Sequence, residues 1–136
     1  MQVMAVMEPI FDRAGRTVGW LSDGAVLDRE ARALAFVDHE GVFAYDGQHR
    51  AWLQSGLFYD RRGRAVAFTT QANGRVSLPL TEAPPLPPVV PVPRLPPVPR
   101  VPPLTPVWSC RWSDDPWDSV LGPTTSASAR AALSNP

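Results

Sequence analysis

The groups able to do chemistry in this chain are sparse. His39, His49 and Cys110 are its only imidazoles and thiol. A metal site needs several such ligands converging at short spacing. No such spacing occurs, and a Cys110 nucleophile would need a distant histidine brought to it. No glycine-rich phosphate loop is present. Asp12, Asp28 and Asp60 fall at multiples of one 16-residue interval, where a ring of carboxylates could hold a cation. Ala44 breaks that ring, and capping of turns accounts for the same residues more simply. No catalytic, cofactor-binding or metal-binding residue is assigned, and no enzyme is expected. Arg50 is the residue out of place, in a column otherwise held by Val18, Leu34 and Val66. It belongs either at a rim, where a guanidinium reaches water, or in a specific contact, which makes it a candidate partner-binding residue.

The elements that carry these groups are repeats of one unit. Trp20, Phe36, Trp52 and Phe68 are 16 residues apart, and so are Gly15, Ala31, Gly47 and Gly63. Two further columns run Phe11, Leu27, Phe43, Tyr59 and Ile10, Val26, Val42, Phe58. Gly19, Ala35, Ala51 and Ala67 form a column of small residues. A fixed period of this kind is the mark of a repeat architecture. Each unit reads as two short strands around an Asp-x-x-Gly turn, closed by a left-handed glycine. A second turn, such as Ser22-Asp23-Gly24, leads to the next copy. Strict alternation places Val18 and Trp20 on one face, with Thr17, Gly19 and Leu21 on the other. The small column implies close approach of backbones or rings near an axis. Ring closure would also remove exposed strand edges.

The bulk properties set outer bounds. A chain of 136 residues allows one small domain with appendages. Its 13 basic residues, all Arg, balance 13 acids. No half is basic enough for a nucleic-acid footprint. The stretch Met1 to Glu8 lacks a basic region and a long apolar run, so neither signal peptide nor membrane span is expected. A soluble, cytoplasmic protein follows as the expectation. A repeat domain of roughly 60 residues has a marginal core and needs flanking segments or self-association. Residues 1–8 are expected to add an N-terminal strand that pairs with the last copy and closes the ring.

The Asp-x-x-Gly turns, the Gly19-Trp20-Leu21-Ser22-Asp23-Gly24 stretch and the Arg64-Ala65-Val66-Ala67-Phe68-Thr69 ending resemble the bacterial four-fold β-flower proteins. Those proteins also continue into a proline-rich basic repeat and end near a Trp-Ser motif. Here that motif is Trp108-Ser109, followed by Asp118-Ser119-Val120-Leu121. The resemblance covers roughly residues 9–122. It implies a four-fold β arrangement and supplies no catalytic or binding residues. The chain departs from the family in having only Arg94 and Arg100 among its prolines, which weakens any role that depends on a basic tail.

The fold class is therefore all-β, with four tandem 16-residue hairpins (residues 9–74) in pseudo-four-fold symmetry. A polyproline II arm (75–107), a tryptophan-containing docking segment with a short helix (108–122) and a disordered tail (123–136) follow. Residues 79–106 hold 13 prolines, a density that forbids helix and central strand. A six-residue register places Arg94 and Arg100 on one polyproline edge. The arm reads as a spacer, or as a ligand for an aromatic groove on another protein or on the β domain itself. Trp108, Trp112 and Trp117 are costly to leave in water and should dock, on the β domain or on a partner. Asp114-Asp115-Pro116 before Trp117, with Gly122 after Leu121, frames the helix. The functional reading is a non-enzymatic interaction or scaffold protein, with a protein partner or self-association. Its candidate partner-binding residues are Arg50, Arg94, Arg100, Trp108, Trp112 and Trp117. The alternative is a carbohydrate or cell-envelope binding module that stacks sugars on the repeated aromatics, at least two of which must then be exposed.

Overall fold

A computed structural model describes residues 7–72, 76–86 and 95–121. Eight strands succeed one another: β1 (Glu8–Asp12), β2 (Thr17–Ser22), β3 (Ala25–Leu27), β4 (Ala33–Asp38), β5 (Gly41–Ala44), β6 (His49–Gln54), β7 (Leu57–Tyr59) and β8 (Ala65–Thr69). Each pairs antiparallel with the next, and β1 also pairs with β8, so the sheet is a closed barrel. Closure is thus made by the first strand of the first repeat, not by an extra N-terminal strand. β1 and β8 each have both edges occupied, which leaves no open edge to fill. Residues 1–6, where that strand was expected, lie outside the described residues.

Each repeat is one hairpin. The Asp12 N–H donates to the Arg16 carbonyl, and the Gly15 N–H donates to the Asp12 carbonyl. Oδ1 of Asp12 accepts from the N–H groups of Ala14 and Arg16. Asp28 and Asp60 repeat this pattern. In the third repeat Ala44 cannot, and Asp46 Oδ1 takes the Gln48 N–H instead. The aspartate column is therefore turn chemistry. The turns between repeats have two residues, and Asp23-Gly24 and Ser55-Gly56 both have positive φ throughout. That is the type I′ geometry, which matches the twist of a hairpin.

A bulge recurs in the second strand of every hairpin. The register shifts between Ile10/Phe11, Val26/Leu27, Val42/Phe43 and Phe58/Tyr59. Val18, Leu34, Arg50 and Val66 are thereby left without a cross-strand partner. The bulge overturns the strict alternation expected for these strands. Thr17 stands opposite Phe11, while Val18 packs with Leu21 against the central cluster. An extra residue in one strand turns its side chain to the face of its neighbour.

The barrel interior is the one cluster to which all four repeats contribute. Ile10, Val26, Val42 and Phe58 meet there with Ala35, Ala51 and Ala67. Large and small residues face each other across every hairpin, as in Ile10 with Gly19 and Phe58 with Ala67. A Cβ on Gly19 would lie 2.3 Å from the Leu27 carbonyl oxygen, so the small column answers to backbone crowding. A helix, α1 (Trp117–Leu121), adds Trp117 and Leu121 to this cluster. Trp117 meets Phe58 edge-on at 5.2 Å between ring centres. The aromatic column and its neighbours lie on the outer face, split into clusters that bridge adjacent repeats.

The aspartates differ in what they hold. Asp60 alone is buried, and its Oδ2 also accepts from the Ser113 hydroxyl at 2.6 Å. Asp12→Ala should cost about 1 kcal/mol and Asp60→Ala about 2–3 kcal/mol. Urea denaturation of the two variants beside the parent protein measures the difference.

Candidate functional site

The proline-rich segment is bound to the barrel by its backbone. The Glu82 N–H donates to the Gly15 carbonyl, Arg100 N–H to Gly47 and Ser109 N–H to Gly63. These three glycines are equivalent in the repeat, and their arm partners are 18 and then 9 residues apart. The arm thus spends 18 residues between the first and third hairpins and nine between the third and fourth. Glu82 adds a second tie, because its Oε2 accepts from the Thr17 N–H at 2.9 Å. The loop glycines are needed for more than their positive φ. A Cβ on Gly63 would fall 2.4 Å from the Val107 carbonyl oxygen, and one on Gly15 would overlap the Leu80 carbonyl. The second repeat carries Ala31 at this position, also with positive φ. Counting back nine from Arg100 reaches Pro91, which has no N–H to donate; residues 87–94 lie outside the described residues.

Beyond Ser109 the chain closes over the fourth repeat. The Ala65 N–H donates to the Arg111 carbonyl and the Ser113 N–H to the Ala65 carbonyl, a parallel bridge between Trp112 and β8. Trp108 lies 4.7 Å from Tyr59 and 6.0 Å from Trp52 between ring centres. Trp112 packs on Phe68 and donates from Nε1 to the Ser77 carbonyl. Trp117 is buried in the barrel end. All three tryptophans therefore pack on the β domain. Trp20, Phe36, Trp52 and Phe68 are all buried, none above 6% exposure. The column presents no ring face on which a sugar could stack.

A second feature lies where the loops of the third and fourth repeats meet α1. Gln48, His49 and Arg50 from one side and Asp60, Arg61 and Arg62 from the other line a cleft of about 550 Å³, closed by Pro103, Asp115, Ser119 and Val120. Arg50 occupies the bulge position next to the barrel interior. Its Nε is sealed from solvent with no hydrogen-bond partner among the described residues. His49 sits between Phe43 and Trp52, at 5.4 and 4.4 Å between ring centres. Neither of its ring nitrogens makes a hydrogen bond of ordinary geometry among the described residues. Burial, and then the charge of Arg61, lower its pKa from 6.5 to about 4, and the nearby Ala51 backbone only partly opposes the effect of burial, so the imidazole is neutral at pH 7.

Sequence and structure differ over which residues gather. Arg50 is in the cleft, and Arg100 is exposed on the arm with its N–H bound to Gly47. Arg94 lies outside the described residues. Arg61, Arg62 and Glu82 carry no sequence signal. The loop glycines had one, in their column, but it pointed to turns rather than to a docked arm. His39 is exposed beside Asp38, and Cys110 is exposed. Among the described residues no group of His, Cys, Asp and Glu is placed to hold a metal ion, and no helix is long and apolar enough to cross a membrane.

A family model described as the 4-fold beta flower protein matches residues 8–121, and the chain belongs to that family. No curated protein and no solved structure matches it.

Two outcomes follow from this geometry. Gly63→Ala should cost about 2–4 kcal/mol, because left-handed strain adds to a lost arm contact. Faster proteolysis of the 76–107 segment would accompany that loss. For His49, both folded and unfolded chains are neutral above about pH 6.5. Between about 6.5 and 4 only the unfolded chain takes up the proton, so stability falls as the pH drops through that window. Going from pH 7 to pH 5 should cost the parent about 1–2 kcal/mol more than His49→Thr, read from urea midpoints at the two pH values.

Proposed function

We propose that this four-fold beta flower protein is a non-enzymatic interaction protein, with the barrel as a rigid spool that displays its own proline-rich arm to a protein partner. One observation carries the reading. Leu80, Leu86, Leu95, Val98, Val101, Leu104 and Val107 are each at least 89% exposed, although the backbone between them is anchored on loop glycines. A fully exposed Val or Leu side chain forgoes about 1.5–3 kcal/mol of burial, and a contiguous apolar surface marks an interaction site.

From Leu95 to Val107 an aliphatic residue stands at every third position, with prolines between. A polyproline II helix has three residues per turn, so these side chains would share one edge as a ridge. Aromatic-lined grooves that recognise proline-rich segments accept this shape. An arm already ordered on the barrel would bind with less entropy to lose. Arg100 stands beside the ridge and would contribute charge to the contact. Sugar binding through the aromatic column is not retained, since all four of its rings are buried.

The test is a variant with Leu95, Val98, Val101 and Leu104 all changed to Ser. Its thermal midpoint should stay within a few degrees of the parent, because the removed atoms touch solvent. Photo-crosslinking from position 101 in cells should join the parent to a discrete protein partner, and the variant should lose that product. An unchanged crosslink pattern would sink the reading, and collapse of the variant's fold would make the ridge part of the core instead. A product at twice the chain mass would identify the partner as a second copy.

A further inference from the structure

We infer that the cleft between the third and fourth repeats binds the phosphate group of a small anionic molecule, held by Arg50, Arg61 and Arg62. The first ground is the place of Arg50. The other three repeats put Val18, Leu34 and Val66 at that bulge, next to the apolar interior. Packing alone asks for an aliphatic residue there. The arginine instead leaves Nε buried without a partner, and an unsatisfied buried donor is a standing cost.

The second ground is charge. Among the described residues, none of the three guanidiniums forms a salt bridge. Asp60, beside Arg61 and Arg62 in sequence, keeps its charge but turns both oxygens to other donors. Its Oδ1 takes the N–H groups of Arg62 and Arg64, and its Oδ2 takes the Ser113 hydroxyl. Asp115 is the one other carboxylate in the lining. Three guanidiniums against two carboxylates leave the lining one positive charge in excess, with no ion pair holding any of the three, and guanidiniums so placed suit an oxyanion.

The third ground is the remaining lining. The Ser119 hydroxyl and the Gln48 amide are neutral donors suited to phosphate oxygens. The volume of about 550 Å³ lies within the range of small-molecule pockets and leaves room for more than the phosphate itself.

The experiment is an NMR titration of the whole ¹⁵N-labelled protein, following the arginine Nε–Hε signals at constant ionic strength held with chloride. Inorganic phosphate, pyrophosphate and glucose 6-phosphate are the probes, with glucose as the neutral control. The Arg50 signal should move saturably, with a Kd below about 1 mM for at least one phosphate probe. Arg50→Val, which installs the residue of the first and fourth repeats, should weaken that binding tenfold or more. Arg61→Gln, at an exposed position, should weaken it likewise and serves if the first variant fails to fold. Tighter binding of the monoester than of inorganic phosphate would place an organic phosphate in the cleft, and equal binding would place the free oxyanion there. No movement of Arg50, the same movement with chloride, or unchanged affinity in both variants would overturn the assignment.

Discussion

The hydrogen bond from an arm N–H to the carbonyl of a loop glycine is the joint on which this molecule turns. In three repeats the glycine closes its own hairpin through its N–H and holds the arm through its carbonyl. Its missing Cβ leaves space for the arm carbonyl that approaches two residues before each donor. One residue type thus serves turn, barrel rim and arm. The spacing of the arm's donors follows from it, because each must reach its own glycine.

The joint matters because the sheet is apolar on both faces. The inner face is filled by Ile10, Val26, Val42 and Phe58, by Ala35, Ala51 and Ala67, by the bulge residues Val18, Leu34 and Val66, and by α1 at one end. The outer face carries the aromatic column, and a sheet of so few residues has nothing of its own to cover it. Val76, Trp108 and Trp112 pack on that face. Ordering an arm this long would ordinarily cost much conformational entropy. Proline lowers that cost, since it restricts the unfolded chain as well as the folded one. A proline-rich segment is therefore well suited to a cover that must be held by few contacts.

Two features remain that packing does not require. Among the described residues, seven aliphatic side chains of the arm are almost fully exposed, and three guanidiniums share a cleft with only two carboxylates and no ion pair. Both cost stability in the isolated molecule. They meet at Pro103, which belongs to the arm and lines the cleft, and they need ligands of opposite character, one apolar and one anionic. A protein built from four near-identical units acquires asymmetry only through such departures, and Arg50 in place of an aliphatic residue is the clearest of them.

The sequence by itself determined the 16-residue period, the Asp-x-x-Gly turns, the crowding at Gly19, Ala35, Ala51 and Ala67, and the short helix at Trp117. Each of these is local: a turn needs particular φ values and cap atoms, and a small column reflects contact between adjacent strands. Tertiary structure alone decided that β1 closes the barrel on β8, that the aromatic column faces outward, and that the arm keeps step with the loop glycines. Period-two alternation defines two faces but cannot say which is inside when both are apolar, and the bulges at Val18, Leu34, Arg50 and Val66 break that alternation besides. Likewise, Arg61 and Arg62 look like ordinary charged turn residues until the barrel brings their loop beside Arg50 and the tail lays α1 across the end. Those juxtapositions depend on ring closure and on docking of a distant segment, and neither leaves a mark in local residue spacing.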